Sequence, residues 1–129
     1  MAGISQTFAI TIKDDASRVA ASETHVVSGD SEESFNVTCP GSGNVSIPLT
    51  IDVSNIVSFW INSTKAVSLT VNDDGSPDLT IALAANVPYW WYTGIATNPI
   101  SIDLTGASAL KFTKADATDC VVSGAFLLT

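Results

Sequence analysis

The sequence contains few basic residues. Among its 129 residues, five are Lys or Arg and thirteen are Asp or Glu, so the formal charge is −8 with histidine neutral. No basic side chain lies between Arg18 and Lys65, or between Lys65 and Lys111. Because a nucleic-acid-binding surface needs clustered positive charge, we expect no nucleic acid among the partners. The same shortage argues against binding to anionic membranes.

The sequence also lacks long hydrophobic runs. No stretch reaches the roughly 18 apolar residues of a membrane-spanning helix, so we expect no membrane segment. The first six residues, Met1 to Gln6, lack the basic and apolar regions of a signal peptide. These features predict a protein that is made in the cytoplasm.

Cysteine and histidine are scarce as well. Cys39 and Cys120 are too few to build a metal site or a disulfide framework alone. In a reducing compartment we expect them to be free, half-buried thiols, although a late disulfide stays open if the protein leaves the cell. His25 is the only histidine, and no motif marks a serine as an activated nucleophile. We interpret His25 as a solvated strand residue, while a Cys–His pairing stays open.

The acidic segment Asn72–Asp78 superficially resembles a calcium loop. It lacks the twelve-residue spacing and the final Glu of such a loop, and a turn rich in Asp and Gly forms without an ion. We therefore expect no metal and no cofactor. A small sandwich with short connections also leaves little room for the cleft that paired catalytic carboxylates need, so we expect no enzyme.

Apolar residues alternate with polar ones along most of the chain, which is the pattern of half-buried strands. Turn residues separate these runs, and the C-terminal run from Cys120 to Leu128 is apolar on both faces, as in a central strand. Eight to ten short strands at this spacing predict an all-β antiparallel sandwich, jelly-roll-like, with little or no helix. The alternating runs are Phe8/Ile10/Ile12, Phe35/Val37/Cys39, Val45/Ile47/Leu49/Ile51, Val57/Phe59/Ile61, Val67/Leu69/Val71, Leu79/Ile81/Leu83, Ile100/Ile102/Leu104 and Leu110/Phe112.

We expect residues 1–129 to form a single sandwich domain in which residues 1–33 are less regular and form an N-terminal arm. Within that stretch, Asp14–Ser22 fits a short helix, and Val19–Val27 fits a ragged strand equally well. The segment Asn72–Asp78 is expected to connect the two strands of a hairpin. Pro88 predicts that the strand after it lies at a sheet edge.

The most conspicuous feature is four consecutive aromatics, Tyr89, Trp90, Trp91 and Tyr92. In an extended segment about half of these rings must lie on each face. One face can join the core, whereas a large apolar patch on the other face usually marks a contact site. The outer rings could stack on sugars or anchor a protein interface, or all four could close off the end of the sandwich. Trp60, on the face opposite Phe59, is a further core or interface anchor.

The order of these segments resembles the small β-sandwich capsid decoration, or cement, proteins of tailed bacteriophages. The resemblance covers residues 45–129: the strand Val57–Ile61, the hairpin of Val67–Val71 and Leu79–Leu83, the aromatic segment, the runs Ile100–Leu104 and Ala109–Thr113, and the apolar strand Val121–Leu128. It rests on strand layout rather than on a motif, so no site residues are transferred.

The resemblance implies a jelly-roll-like fold, no catalysis, homo-oligomerisation, and binding to the major capsid protein where capsomers meet. The expected location is the virion, on the capsid surface. From the aromatic pattern, and not from the resemblance, we expect the contact residues to be Tyr89, Trp90, Trp91 and Tyr92, with Trp60. The alternative is a carbohydrate-binding sandwich, of phage tail or adhesin type, that uses the same aromatics as a stacking platform.

Overall fold

The computed structural model describes residues 3–13, 19–95, 97–114 and 116–129. In these residues the chain forms strands and a single 3-10 turn, Val53–Asn55. The strands are β1 (Ile4–Lys13), β2 (Val19–Gly29), β3 (Ser31–Cys39), β4 (Asn44–Ile47), β5 (Ile56–Ser63), β6 (Val67–Val71), β7 (Leu79–Leu83), β8 (Tyr89–Tyr92), β9 (Leu110–Thr113) and β10 (Cys120–Leu128).

Strands β3 to β10 form two antiparallel sheets packed in two layers. Sheet I has the order β3-β10-β5-β8, and sheet II has the order β4-β9-β6-β7. This interleaving of the chain between two four-stranded sheets is the jelly-roll arrangement of two Greek keys. The predicted all-β, jelly-roll-like sandwich is confirmed.

The core lies between the two sheets, where alternate residues of each strand meet. On β6 the inward residues Val67, Leu69 and Val71 are buried, whereas the residues between them are half-exposed. The largest fully buried side chains are aromatic, Phe59, Phe112 and Phe126. Because burial follows the period of two, the alternation in the sequence specifies which face of each strand joins the core.

Strand β10 is central, as its apolar sequence predicts, and pairs with β3 on one side and β5 on the other. Gly124 lies in the middle of this strand. A Cβ atom there would come within 2.6 Å of the Trp60 carbonyl oxygen and 2.7 Å of the Phe35 ring. The close packing of β3, β10 and β5 at this point therefore requires glycine.

The prediction of a strand at Ile100–Leu104 was wrong. Only Leu104 forms a bridge, with Ile51, and the rest of the segment is irregular. Its alternation is nevertheless real, because Ile100 and Leu104 are fully buried while Ser101 and Asp103 are exposed. In this segment, hydrogen bonds from side chains take the place of the backbone hydrogen bonds that a neighbouring strand would make.

Two such side-chain contacts hold the segment. The Val53 amide donates to Asp103 Oδ1 at 2.9 Å, and the Asp103 carbonyl accepts from Asn72 Nδ2 at 2.7 Å. A segment of this kind keeps the burial pattern of a strand without belonging to a sheet.

Strands β1 and β2 pair as a long antiparallel hairpin, a two-stranded sheet separate from sheets I and II. Of the two interpretations left open for this region, the strand is correct from Val19 onwards; residues 14–18 lie outside the described residues. The hairpin ends at Gly29, and the Asp30 amide then donates to the Leu128 carbonyl at 2.7 Å. The chain therefore enters β3 directly from the hairpin.

An ion pair between a buried lysine and an exposed aspartate lies at the end of β9. The Lys114 side chain is only 1% exposed, and its Nζ lies 2.7 Å from Asp116 Oδ2, whereas the Asp116 side chain is 62% exposed. Lys114, first, and then the Thr118 hydroxyl and amide hold the pKa of the Asp116 carboxyl far below its ordinary value. A buried ammonium is tolerated only when it is paired, so the stability of this corner depends on the Asp116 charge.

We predict that Asp116→Asn lowers the midpoint of thermal unfolding at neutral pH, because Lys114 loses its counter-ion. The folded-state pKa of Asp116 is depressed, so the stabilisation is present above the unfolded pKa, near 3.8, and is lost as the pH falls through the folded pKa. The gap between wild type and Asp116→Asn should therefore narrow below pH 3.8. Calorimetry across pH measures it. Asp74→Asn, at an exposed turn position, is the control, and equal midpoints for the two variants at neutral pH would refute the prediction.

Candidate binding groove

The four aromatics of β8 divide between the two faces of sheet I, as an extended strand requires. Tyr89 and Trp91 pack against the core between the sheets, and the Tyr89 ring lies 5.9 Å from that of Phe59. Burial raises the pKa of the Tyr89 hydroxyl. Trp90 and Tyr92 lie on the outer face and stack on each other, with centroids 5.8 Å apart and planes 7° from parallel.

The hairpin β1–β2 covers part of this outer face. The Phe8 ring lies 5.6 Å from Trp90 and 5.2 Å from Tyr92. His25, which is paired with Phe8 in the hairpin register, stacks on Tyr92 at 4.8 Å. Tyr92 is thereby only 8% exposed, so another part of the same chain buries this ring.

A polar contact fixes the hairpin over the middle of sheet I. Gln6 is buried; its Oε1 accepts from the Ser58 hydroxyl at 2.6 Å, and its Nε2 donates to Glu32 Oε2 at 3.1 Å. Ser58 is fully buried on β5. Because a buried hydroxyl or amide costs free energy unless it is hydrogen-bonded, this contact sets the register of the hairpin against the sheet.

Two tryptophans remain half-exposed beside the hairpin. Trp60 of β5 and Trp90 of β8 are directly opposed in the ladder, so their rings are neighbours on the outer face. They line an open groove of about 740 Å³ between β1 and sheet I. The groove is lined by Ser5, Gln6, Thr7, Phe8, Ala9, Glu32, Trp60, Pro88 and Trp90.

The lining combines apolar surface with a charged group. Indole rings supply flat apolar surface, and the exposed Glu32 supplies a carboxylate to the same lining. Such a combination of aromatic anchors with a few polar groups is typical of recognition sites.

The predicted contact residues are thus distributed over both faces. Trp60, Trp90 and Tyr92 lie on the outer face, and Tyr89 and Trp91 point towards the core. The contact role of all five stays a prediction. Sequence reasoning missed the wall of the groove, formed by β1 and Glu32. The alternation of residues 7–13 indicated a strand, but nothing in it indicated which sheet that strand would cover.

The acidic turn uses its oxygens internally. Asp73 accepts from the Gly75 amide and the Thr70 hydroxyl, each at 3.0 Å, and these hydrogen bonds lower the pKa of its carboxyl. Asn72 donates to Asp78 at 3.0 Å and accepts from the Thr105 amide at 2.9 Å. Across the residues that the structure describes, no group of three His, Cys, Asp or Glu side chains is placed to hold a metal ion.

The single histidine and the two cysteines, the candidates for a Cys–His pair, lie in two separate places. His25 belongs to the hairpin and stacks on Tyr92, whereas Cys39 and Cys120 are free, buried thiols in the core. They are more deeply buried than the half-buried thiols that were expected. In the described part of the chain, no helix is both long and apolar enough to cross a membrane.

We predict that Gln6→Met lowers the free energy of unfolding by about 1–3 kcal/mol, because the Ser58 hydroxyl becomes buried and unpaired. Adding Ser58→Ala should recover part of that loss, since removal of both partners leaves no unpaired group. Chemical denaturation measures each value.

Thr7→Val is the matched control, because Thr7 lies on the exposed face of the same strand. If Gln6→Met and Thr7→Val had the same effect, or if Ser58→Ala made the Gln6 variant still less stable, the contact would not hold the hairpin in place.

Comparison with protein families, with curated proteins and with solved structures found no match to this chain. Its function is therefore inferred from the groove, from the jelly-roll topology and from the distribution of charge.

Proposed function

We propose that this chain is a non-enzymatic structural protein of a virion, which decorates a phage capsid and stabilises it by binding the major capsid protein between capsomers. The observation that carries the proposal is the half-exposed pair Trp60–Trp90 in the groove beside β1. Tryptophans on a surface are enriched among the residues that dominate binding energy at protein interfaces.

The arrangement of Trp60 and Trp90 suits residues that anchor a partner protein. Both residues lie on neighbouring strands of one sheet, and the Phe8 and Tyr92 rings pack against Trp90, so the Trp90 ring is held in place before a partner arrives. Binding to a preformed site avoids the entropic cost of ordering flexible side chains. A partner side chain seated on these rings would also lie near Glu32, which suits a Lys or Arg donor.

The fold and the composition support the same proposal. Jelly rolls recur in viral capsid and lectin domains, although a fold alone does not specify a function. Only 14% of the residues are charged, while the net charge is −8. Covering a surface with few charges avoids the large cost of burying unpaired charged groups, and a net negative charge opposes aggregation of the free protein.

Open sheet edges provide a route to homo-oligomers. Strands β3 and β8 form the edges of sheet I, and strands β4 and β7 form those of sheet II. An edge strand offers unpaired backbone groups to a second chain. We therefore include self-association in the proposal.

We predict that Trp60→Ala and Trp90→Ala each weaken binding to capsid particles by roughly 30-fold or more, the loss expected for an aromatic anchor worth about 2 kcal/mol. The measurement is a titration of particles stripped of this chain, followed by quantification of bound copies by mass spectrometry. Circular dichroism establishes that each variant is folded.

Val87→Ala is the matched control: Val87 is 58% exposed and is not part of the groove lining. It should leave occupancy unchanged. Full occupancy with both folded tryptophan variants, or absence of the chain from purified particles, would contradict the proposal.

A second candidate function is carbohydrate binding, which the groove favours through one specific feature. The two indole rings share the groove lining with the exposed carboxylate of Glu32. Sugars stack their apolar faces on aromatic rings and hydrogen-bond through their hydroxyl groups, so flat apolar surface with polar groups at its edge suits them.

Intrinsic tryptophan fluorescence separates the two functions, because two of the three tryptophans line the groove. A capsid decoration protein should show no saturable change when titrated with a panel of oligosaccharides. A saturable change that is lost in Trp90→Ala and kept in Val87→Ala would favour the carbohydrate-binding function instead.

A further inference from the structure

The two cysteines, 81 positions apart in the sequence, are direct neighbours in the fold. Cys39 is the last residue of β3 and Cys120 is the first residue of β10, and the two are paired in the antiparallel register. Both side chains belong to the core between the sheets. Directly opposed residues of an antiparallel ladder have Cα atoms about 4.5–5.5 Å apart, within the span of roughly 4.4–6.8 Å that a disulfide bridges.

Each sulfur atom has a hydrogen-bond partner in the core. Cys39 Sγ donates to the Phe112 carbonyl at 3.5 Å, and the Ser63 hydroxyl donates to Cys120 Sγ at 3.7 Å. Burial, and then the neighbouring Cys120 thiol, raise the pKa of the Cys39 thiol. The Cys39 thiol is therefore held in its neutral form beside the Cys120 thiol.

We propose that Cys39 and Cys120 are a site of oxidative modification, at which an intramolecular disulfide joins β3 to β10 once the protein meets an oxidising environment. The oxidant is a small-molecule disulfide, such as oxidised glutathione. One cysteine thiolate attacks it, forms a mixed disulfide and releases one glutathione thiolate. The second cysteine then displaces the other glutathione and forms the Cys39–Cys120 bond. Two cysteine thiols lose two electrons and two protons, and one glutathione disulfide becomes two glutathione thiols.

The position of the pair at the end of the ladder makes this reaction accessible. Beyond Cys39 the chain passes into the turn Pro40–Gly43, and before Cys120 it passes through the exposed residues 116–119. Local opening of the last ladder pair exposes both thiols without unfolding the sandwich. In a reducing cytoplasm the thiols stay free, and oxidation follows only after release from the cell.

The bond would stabilise the whole sandwich. It closes a long loop that contains strands β4 to β9, and cross-linking a long loop restricts the unfolded chain most strongly. It also joins an edge strand of sheet I to the central strand. The proposal does not depend on the function proposed above, because it concerns the core and not the groove.

The test compares the full-length protein purified under reducing conditions with the same protein after incubation with oxidised glutathione. We expect a loss of about 2 Da in the intact mass, from two hydrogens, without a glutathione adduct and without dimer formation. The midpoint of thermal unfolding should rise by on the order of 10 °C, and dithiothreitol should reverse both changes.

Cys120→Ser is the control, since a single thiol cannot give the internal bond and should show neither the mass loss nor the thermal shift. The wild-type comparison decides the question even if this variant does not fold. Alkylation of both wild-type cysteines in denaturant after oxidation would overturn the proposal, as would stable glutathione adducts at either position.

Discussion

The central constraint in this structure is that four consecutive aromatic residues on one strand cannot share a face. Tyr89 and Trp91 enter the core, and Trp90 and Tyr92 are thereby directed to the outer side of sheet I. Large apolar rings exposed on a sheet need a cover. The hairpin β1–β2 supplies that cover for Tyr92 through Phe8 and His25, and it leaves Trp90 only partly covered. The groove is the consequence of this incomplete covering.

The sequence alone specifies a large part of this fold. The alternation of apolar residues correctly predicted the inward faces of β5 and β6, and the apolar C-terminal run correctly predicted a central strand. It failed at Ile100–Leu104, where the burial alternates but Asp103 and Asn72 side chains take the place of ladder hydrogen bonds. Periodicity reports which side chains are buried; it does not report whether the backbone has a partner strand.

The candidate site was predictable only in part, for a related reason. Consecutive aromatics in a strand imply that some rings lie outside the core, but the pattern did not distinguish the outward Trp90 from the inward Trp91. The contacts between Gln6 and Ser58, which are 52 positions apart, depend on where a separate hairpin docks. The pairing of Cys39 with Cys120 likewise depends on the strand order of sheet I. Long-range register of this kind has no signal in the local pattern of a single sequence.

A reconstruction of the assembled particle by electron cryo-microscopy, at a resolution that shows side chains, tests the central claim most directly. The account predicts density from a second polypeptide within contact distance of the Trp60 and Trp90 rings, while Tyr92 remains covered by Phe8 and His25 of its own chain. A particle in which the groove faces bulk solvent, and the chain is attached through another surface, would contradict it.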